Sequence, residues 1–230
     1  DVAQMVIDNG AYFAAVHTEW TSKADRAFAW SLRNMLYGAL VFPKGTAHLG
    51  SELHGYNRMP NNTSYAFLIN KLLIEFFKQN ELNQQILNGQ PVWQGQAAEA
   101  LIMVYQQSLK DVKSPDSAVL QLTDEMRNQL KATIIKMVSH IDENELVYDD
   151  TSGYSMVYVR VNKSGGITWR SFKTYGFFWL NAWQWVESQP GVSLKHKSED
   201  IYQWLLKVNK GNDNFIRNMT SFLAFGSNFV

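Results

Sequence analysis

The sequence predicts a mainly α-helical, multi-helix globular domain with one inserted β-hairpin at about residues 154–173. Three observations carry that expectation. Apolar residues recur at spacings of three and four through most of the chain, as in helices that bury one stripe. The spacing switches to two only once, in "YSMVYVRVNKSGGITWRSF". A chain of 230 residues with 46% hydrophobic content can also bury one substantial core, so a single domain over 1–230 is expected.

Taken in order, Val2, Val6, Phe13 and Val16 suggest a first helix, which Asn9-Gly10 interrupts. Ser22 with Asp25 resembles a capping box, and Phe28, Leu32, Met35, Leu36, Ala39 and Leu40 continue a helix as far as Pro43. Phe42 to Asn62 holds two prolines and three glycines without a sustained period and reads as a long surface connection, a class of loop that is often functional. Thr63 or Ser64 can then cap a helix whose Phe67, Leu68, Leu72, Ile74, Phe76 and Phe77 cover more than one face. Asn80 to Leu87 reads as a further short helical piece.

The stretch "NGQPVWQGQ" reads as a turn, after which Ala98, Leu101, Ile102, Tyr105 and Leu109 mark an amphipathic helix over Ala97 to Leu109. "SPD" at 114–116 places a proline just after a serine cap, opening a helix through Leu122, Met126, Leu130, Ile134 and Val138. These two helices are expected to pair. Val157, Val159 and Val161 then alternate with Tyr158 and Arg160, and "NKSGG" leads to a second alternating run through Ile167 and Trp169, giving the hairpin. Strand is expected only between about Val147 and Lys173. Phe177 to Val186 reads as a helix buried on two sides, Ser198 as the cap of a helix running to Gly211, and Asn214 to Phe225 as the last helix. The count is seven to nine helices, and any division into lobes would fall near 142–150.

Composition narrows the function classes. Lys+Arg 21 against Asp+Glu 21 leaves no broad field to attract nucleic acid or an anionic membrane. The absence of Cys excludes disulfides, thiolate metal sites and a cysteine nucleophile. About 10 apolar residues near Trp179 are too few for a membrane span, which needs roughly 20. The chain begins at Asp1 without Met, which suits removal of a signal peptide and a secreted or periplasmic setting. Asn-x-Ser/Thr triplets stand at Asn61, Asn62, Asn162 and Asn218, a weak pattern in an Asn-rich chain.

Four sets of residues could carry chemistry. His48, Glu52 and His54 in the long connection are metal-ligand types, but they lack the helical spacing of a metalloprotease, and a solvated loop explains them more simply. His17 and Glu19 are an acid–base pair of the same standing. Glu143, Glu145, Asp149 and Asp150 form an acidic cluster, so Glu52, Asp149 and Asp150 are the catalytic candidates for carboxylate-assisted glycoside hydrolysis. The cluster does not match an EF-hand, and acids so grouped usually sit in water. Trp169, Trp179, Trp183 and Trp185 are the binding candidates, because indole offers an apolar face and one donor. The competing reading is a tryptophan-rich core, in which Trp185 or Trp169 would be partly exposed.

No phosphate loop, nucleophile elbow or cofactor motif is present, so no cofactor and no metal are expected. The sequence therefore favours an exported protein that binds a protein partner, or itself, through an aromatic-rich surface. The alternative is a glycan- or peptidoglycan-acting hydrolase using paired carboxylates beside tryptophans.

Overall fold

A computed structural model describes residues 26–42, 46–47, 63–83, 91–158, 168–170 and 172–227. The expected helix over Val2 to Val16 lies outside them. Helix α1 (Arg26–Val41) buries Phe28, Leu32, Met35, Leu36 and Ala39 as the spacing requires. Strands β1 (Thr46–Ala47) and β2 (Thr63–Ser64) pair antiparallel, with Thr46 opposite Ser64. This pair corrects the expectation that strand is confined to about 147–173. It lies at the two ends of the segment read as an unbroken connection, where two residues of ladder give no alternation to detect.

Helix α2 (Tyr65–Asn83) is capped by Ser64, whose hydroxyl oxygen accepts from the Phe67 amide at 3.2 Å. It runs unbroken past Asn80, so the separate piece expected there begins as the last turn of α2. Helix α3 (Pro91–Lys113) starts six residues before the expected Ala97. The turn reading of "NGQPVWQGQ" is corrected: Pro91 occupies the first helical position, where a missing amide hydrogen costs nothing.

The opposite correction applies at Pro115. It opens only a 3-10 turn (Pro115–Ser117), and helix α4 (Asp124–His140) starts after Thr123, whose Oγ1 accepts from the Met126 amide at 3.2 Å. The intervening chain is tied down by buried Asp111, whose carboxylate accepts from the Leu120 amide at 2.7 Å and from Gln107 Nε2 at 2.8 Å. Helices α3 and α4 pack together, as expected.

After α4 come a π-helical turn (Ile141–Glu145) and strands β3 (Leu146–Asp149), β4 (Gly153–Tyr158) and β5 (Thr168–Arg170). They form an antiparallel sheet in the order β3-β4-β5. The expected hairpin is the β4–β5 half, with Val157 opposite Trp169. Strand β3 extends it, and Phe172 and Lys173 belong to the short helix α5 (Phe172–Tyr175), which trims the expected end at 173.

Helices α6 (Phe177–Glu187), α7 (Ser198–Val208) and α8 (Asp213–Ser227) complete the fold. Ser198 is not the cap of α7; Lys197 holds that position without a side-chain bond. Glu187 of α6 reaches across to the first turn, accepting from the Ser198 amide at 3.0 Å and from its hydroxyl. A carboxylate at a helix N-terminus meets both its free amides and its dipole.

The buried apolar residues form one contiguous cluster organised by α3 and α6. Helix α3 packs on α1, α4 and α6, and α6 packs on α4, α7 and α8 as well. Gly95 makes the α3–α6 approach possible, since a Cβ there would lie 2.8 Å from the Phe178 carbonyl oxygen. Inside this core, Arg33 pairs with Glu99, Asn181 donates to Glu99 at 2.8 Å, and the Arg33 guanidinium lies 5.6 Å from the Phe222 ring centre. Burial lowers the Arg33 pKa to about 10, and the side chain still carries its charge at neutral pH. No helix among the described residues is long and apolar enough to cross a membrane.

Candidate functional site

The site begins where the helical stripe of α4 gives way to "IDENELVYDDTSGY", residues 141–154. The π-helical turn places Ile141 and Asp142 both inside, while Glu143 and Asn144 point to solvent. Such turns insert one extra residue per loop of helix and recur at functional sites. Asp142, 1% exposed, reaches 54 residues along the sequence to the connection between α6 and α7. Its carboxylate accepts from the Lys195 and His196 amides, and Oδ1 lies 2.8 Å from His196 Nδ1. From the other side, Trp183 Nε1 donates to the His196 carbonyl at 2.9 Å. The backbone at His196 is therefore held by two elements at once.

An aromatic row is built on that anchor. The Tyr154 ring meets the His196 ring edge-on at 5.5 Å, Tyr148 at 4.9 Å and Trp204 edge-on at 5.5 Å. Tyr148 and Tyr154 are direct partners across β3 and β4, so their side chains share one face of the sheet. Gly153, at φ +73°, makes the Trp204 contact possible, because a Cβ there would collide with the indole. Burial, with Asp200 close by, raises the Tyr154 phenol above its ordinary range.

Beside this row lies an open cleft of about 480 Å³. It is lined by Glu143, Leu146, Val147 and Tyr148 from the π-turn and β3, and by Lys195, His196 and Asp200 from the α6–α7 connection and the start of α7. Two further concavities are smaller: about 150 Å³ between α6 and α7 by Gln184 and Tyr202, and about 240 Å³ along α2 by Phe67 and Ile74. Clefts of roughly 300–1,000 Å³ are the usual size for ligands.

Behind the cleft, Glu145 sits 3.4 Å from His140 Nε2. Burial pushes Glu145 up to about 7 and moves His140 below its ordinary value. Asp149 behaves in the opposite way. Hydrogen bonds from the Ser152 amide and hydroxyl, then from the Thr151 amide, hold its carboxyl below the usual range.

The residues singled out by sequence are distributed unevenly. Trp179 and Trp183 are 0% exposed and Trp185 is 3% exposed, so all three indoles are enclosed by the core. The expectation that Trp185 would be partly exposed is corrected: its ring packs edge-on against Tyr105 at 5.6 Å. Trp169 has its backbone in β5, and its side chain lies outside the described residues. His17, Glu19, His48, Glu52 and His54 also lie outside them. Asp149 and Asp150 are exposed at the β3–β4 turn, where Asp149 Oδ1 accepts from the Thr151 and Ser152 amides at 2.9 and 2.8 Å. Asp149 organises a solvated turn.

Sequence reasoning missed Asp142, His196, Tyr148, Tyr154 and Trp204. His196 lies in "SLKHKSED", which carries no pattern, and only the fold brings it to Asp142. Among the described residues no group of three or more His, Asp or Glu side chains is placed to hold a metal ion. Compared with protein-family models, curated proteins and solved structures, the chain matches none.

Proposed function

We propose that this chain is an interaction protein that holds a protein partner in the tyrosine-walled cleft of the β3–β4 sheet. One observation carries the reading: Tyr148 is 51% exposed while its ring rests on Tyr154, which is itself packed on His196 and Trp204. An aromatic face positioned in advance gives large contact area without a further ordering cost on binding, as at interface hot spots. An envelope or extracellular setting belongs to the same proposal.

A second reading, a glycan- or peptidoglycan-acting hydrolase, draws on Glu143 and Asp200, two carboxylates that border the same cleft beside tyrosines. It predicts release of soluble fragments from a glycan polymer that Glu143→Gln and Asp200→Asn each abolish.

Selection of peptides of about 12 residues from a displayed library, with Tyr148→Ala as the counter-screen, tests the binding reading. Binders that lose at least about tenfold in affinity on Tyr148→Ala support it. Binders that hold the variant as tightly as the parent would refute it.

A further inference from the structure

Resting on that reading, we infer that the occupant of the cleft is an extended, cationic segment of a partner protein that adds a strand to the free edge of β3. Strand β3 is the first of three in its sheet, and among the described residues no strand pairs with its other edge. In an antiparallel strand, alternate residues turn their N–H and C=O groups away from the neighbour, so among the described residues β3 offers unpaired backbone groups along that side.

The cleft lies along this strand, since the successive residues Leu146, Val147 and Tyr148 all line it. Val147 and Tyr148 are both exposed, so this part of the strand is accessible. Four residues of β3 extend about 13 Å at roughly 3.3 Å each, which suits a ladder with three or four residues of a peptide.

Charge selects among occupants. The exposed carboxylate of Glu143 stands at the N-terminal end of β3, those of Asp149 and Asp150 at its C-terminal end, and Asp200 across the cleft. Lys195 is the cation that faces them from the cleft wall. A cationic strand meets acids at both ends of the ladder. A second copy of this chain would not: pairing β3 antiparallel with itself sets the Glu143 end of one copy beside the Asp149–Asp150 end of the other, placing like charges together. A bound helix would satisfy its own backbone and leave the β3 edge unpaired.

The test uses synthetic versions of peptides whose binding depends on Tyr148. We expect them to carry net positive charge, to weaken at least about fivefold between roughly 0.05 and 0.5 M salt, and to weaken about threefold or more on Asp200→Asn or Glu143→Gln. N-methylation of single peptide amides should abolish binding at alternate positions and spare the positions between. Tyr148-dependent peptides that are neutral or acidic, bind as helices, or tolerate N-methylation everywhere would overturn the inference and leave the broader binding reading standing. If every selected peptide ignores Tyr148→Ala, both readings fall. Concentration-dependent dimerisation lost on Val147→Pro would also overturn it, by showing that the edge pairs with a second copy.

Discussion

Helix α6 and the β3–β4 hairpin are both rich in aromatic side chains, but they are bounded very differently. Helix α6 is contacted by α3, α4, α7 and α8, and its three tryptophans are enclosed. Among the described residues strand β3 has one strand neighbour, and Tyr148 stands half in solvent. Composition alone would rank α6 as the binding surface. The number of elements packed around a segment, which depends on the whole topology, decides instead whether an aromatic ring stabilises the fold or remains available to a partner. The two regions meet at His196: Trp183 fills the core and its indole N–H also holds the His196 carbonyl at the cleft.

The largest expected effect tests the core side. Trp179→Ala and Trp183→Ala should each lower stability by about 3–5 kcal/mol, because the cavity left by a buried indole cannot collapse fully. Denaturant midpoints measure this, and unchanged midpoints for both would break the comparison. Next comes the buried ion pair. Glu99→Ala leaves the Arg33 charge inside the core and should cost about 3 kcal/mol or more, whereas the double change Arg33→Met with Glu99→Leu should recover much of the loss. A double-mutant cycle on the same melts separates pairing from packing.

Asp142→Ala acts where the regions meet. It removes the acceptor for two amides and one imidazole, and should cost about 2 kcal/mol. Hydrogen exchange should show the Lys195 and His196 amides losing protection before the rest of the chain. Uniform loss of protection would mean that Asp142 supports the fold as a whole.

Glu145 gives a smaller, pH-dependent effect. Its carboxyl titrates near 4.5 when free and is pushed up to about 7 in the fold. Below the lower value it is protonated in both states. As the pH rises through the window the unfolded chain releases the proton first, so stability falls, and the loss is complete above about 7. Glu145→Gln has no proton to release, so its stability relative to the parent should rise between about pH 4.5 and 7. Parallel melts across that range check the sign; a difference that is flat with pH would show that Glu145 is not held protonated.

Most of the fold was legible from the sequence because it depends on local periodicity. The Phe28–Leu36 stripe, the Ser64 cap and the β4–β5 hairpin each follow from residues close in sequence. Errors fell where one residue supports two local readings, as with Pro91 and Pro115, or where a distant group takes over a local role, as when Glu187 displaces Ser198 as the cap of α7. The candidate site was less legible. The acidic run 143–150 located its neighbourhood, but Asp142 meets His196 only through the packing of α4, α6 and α7, and no spacing encodes that contact. The tryptophans drew attention away from Tyr148, since identity does not reveal which ring lies at a sheet edge.

The smallest expected change in stability is also the most direct test of the central claim, that the working surface is the β3 edge and not the α6 aromatics. Tyr148→Ala should be melted in denaturant and titrated with a peptide selected on the parent protein. The account predicts a midpoint within about 1 kcal/mol of the parent, because the ring is half exposed, together with a loss of at least about tenfold in affinity. A large drop in stability with binding retained would contradict it and place Tyr148 with the core.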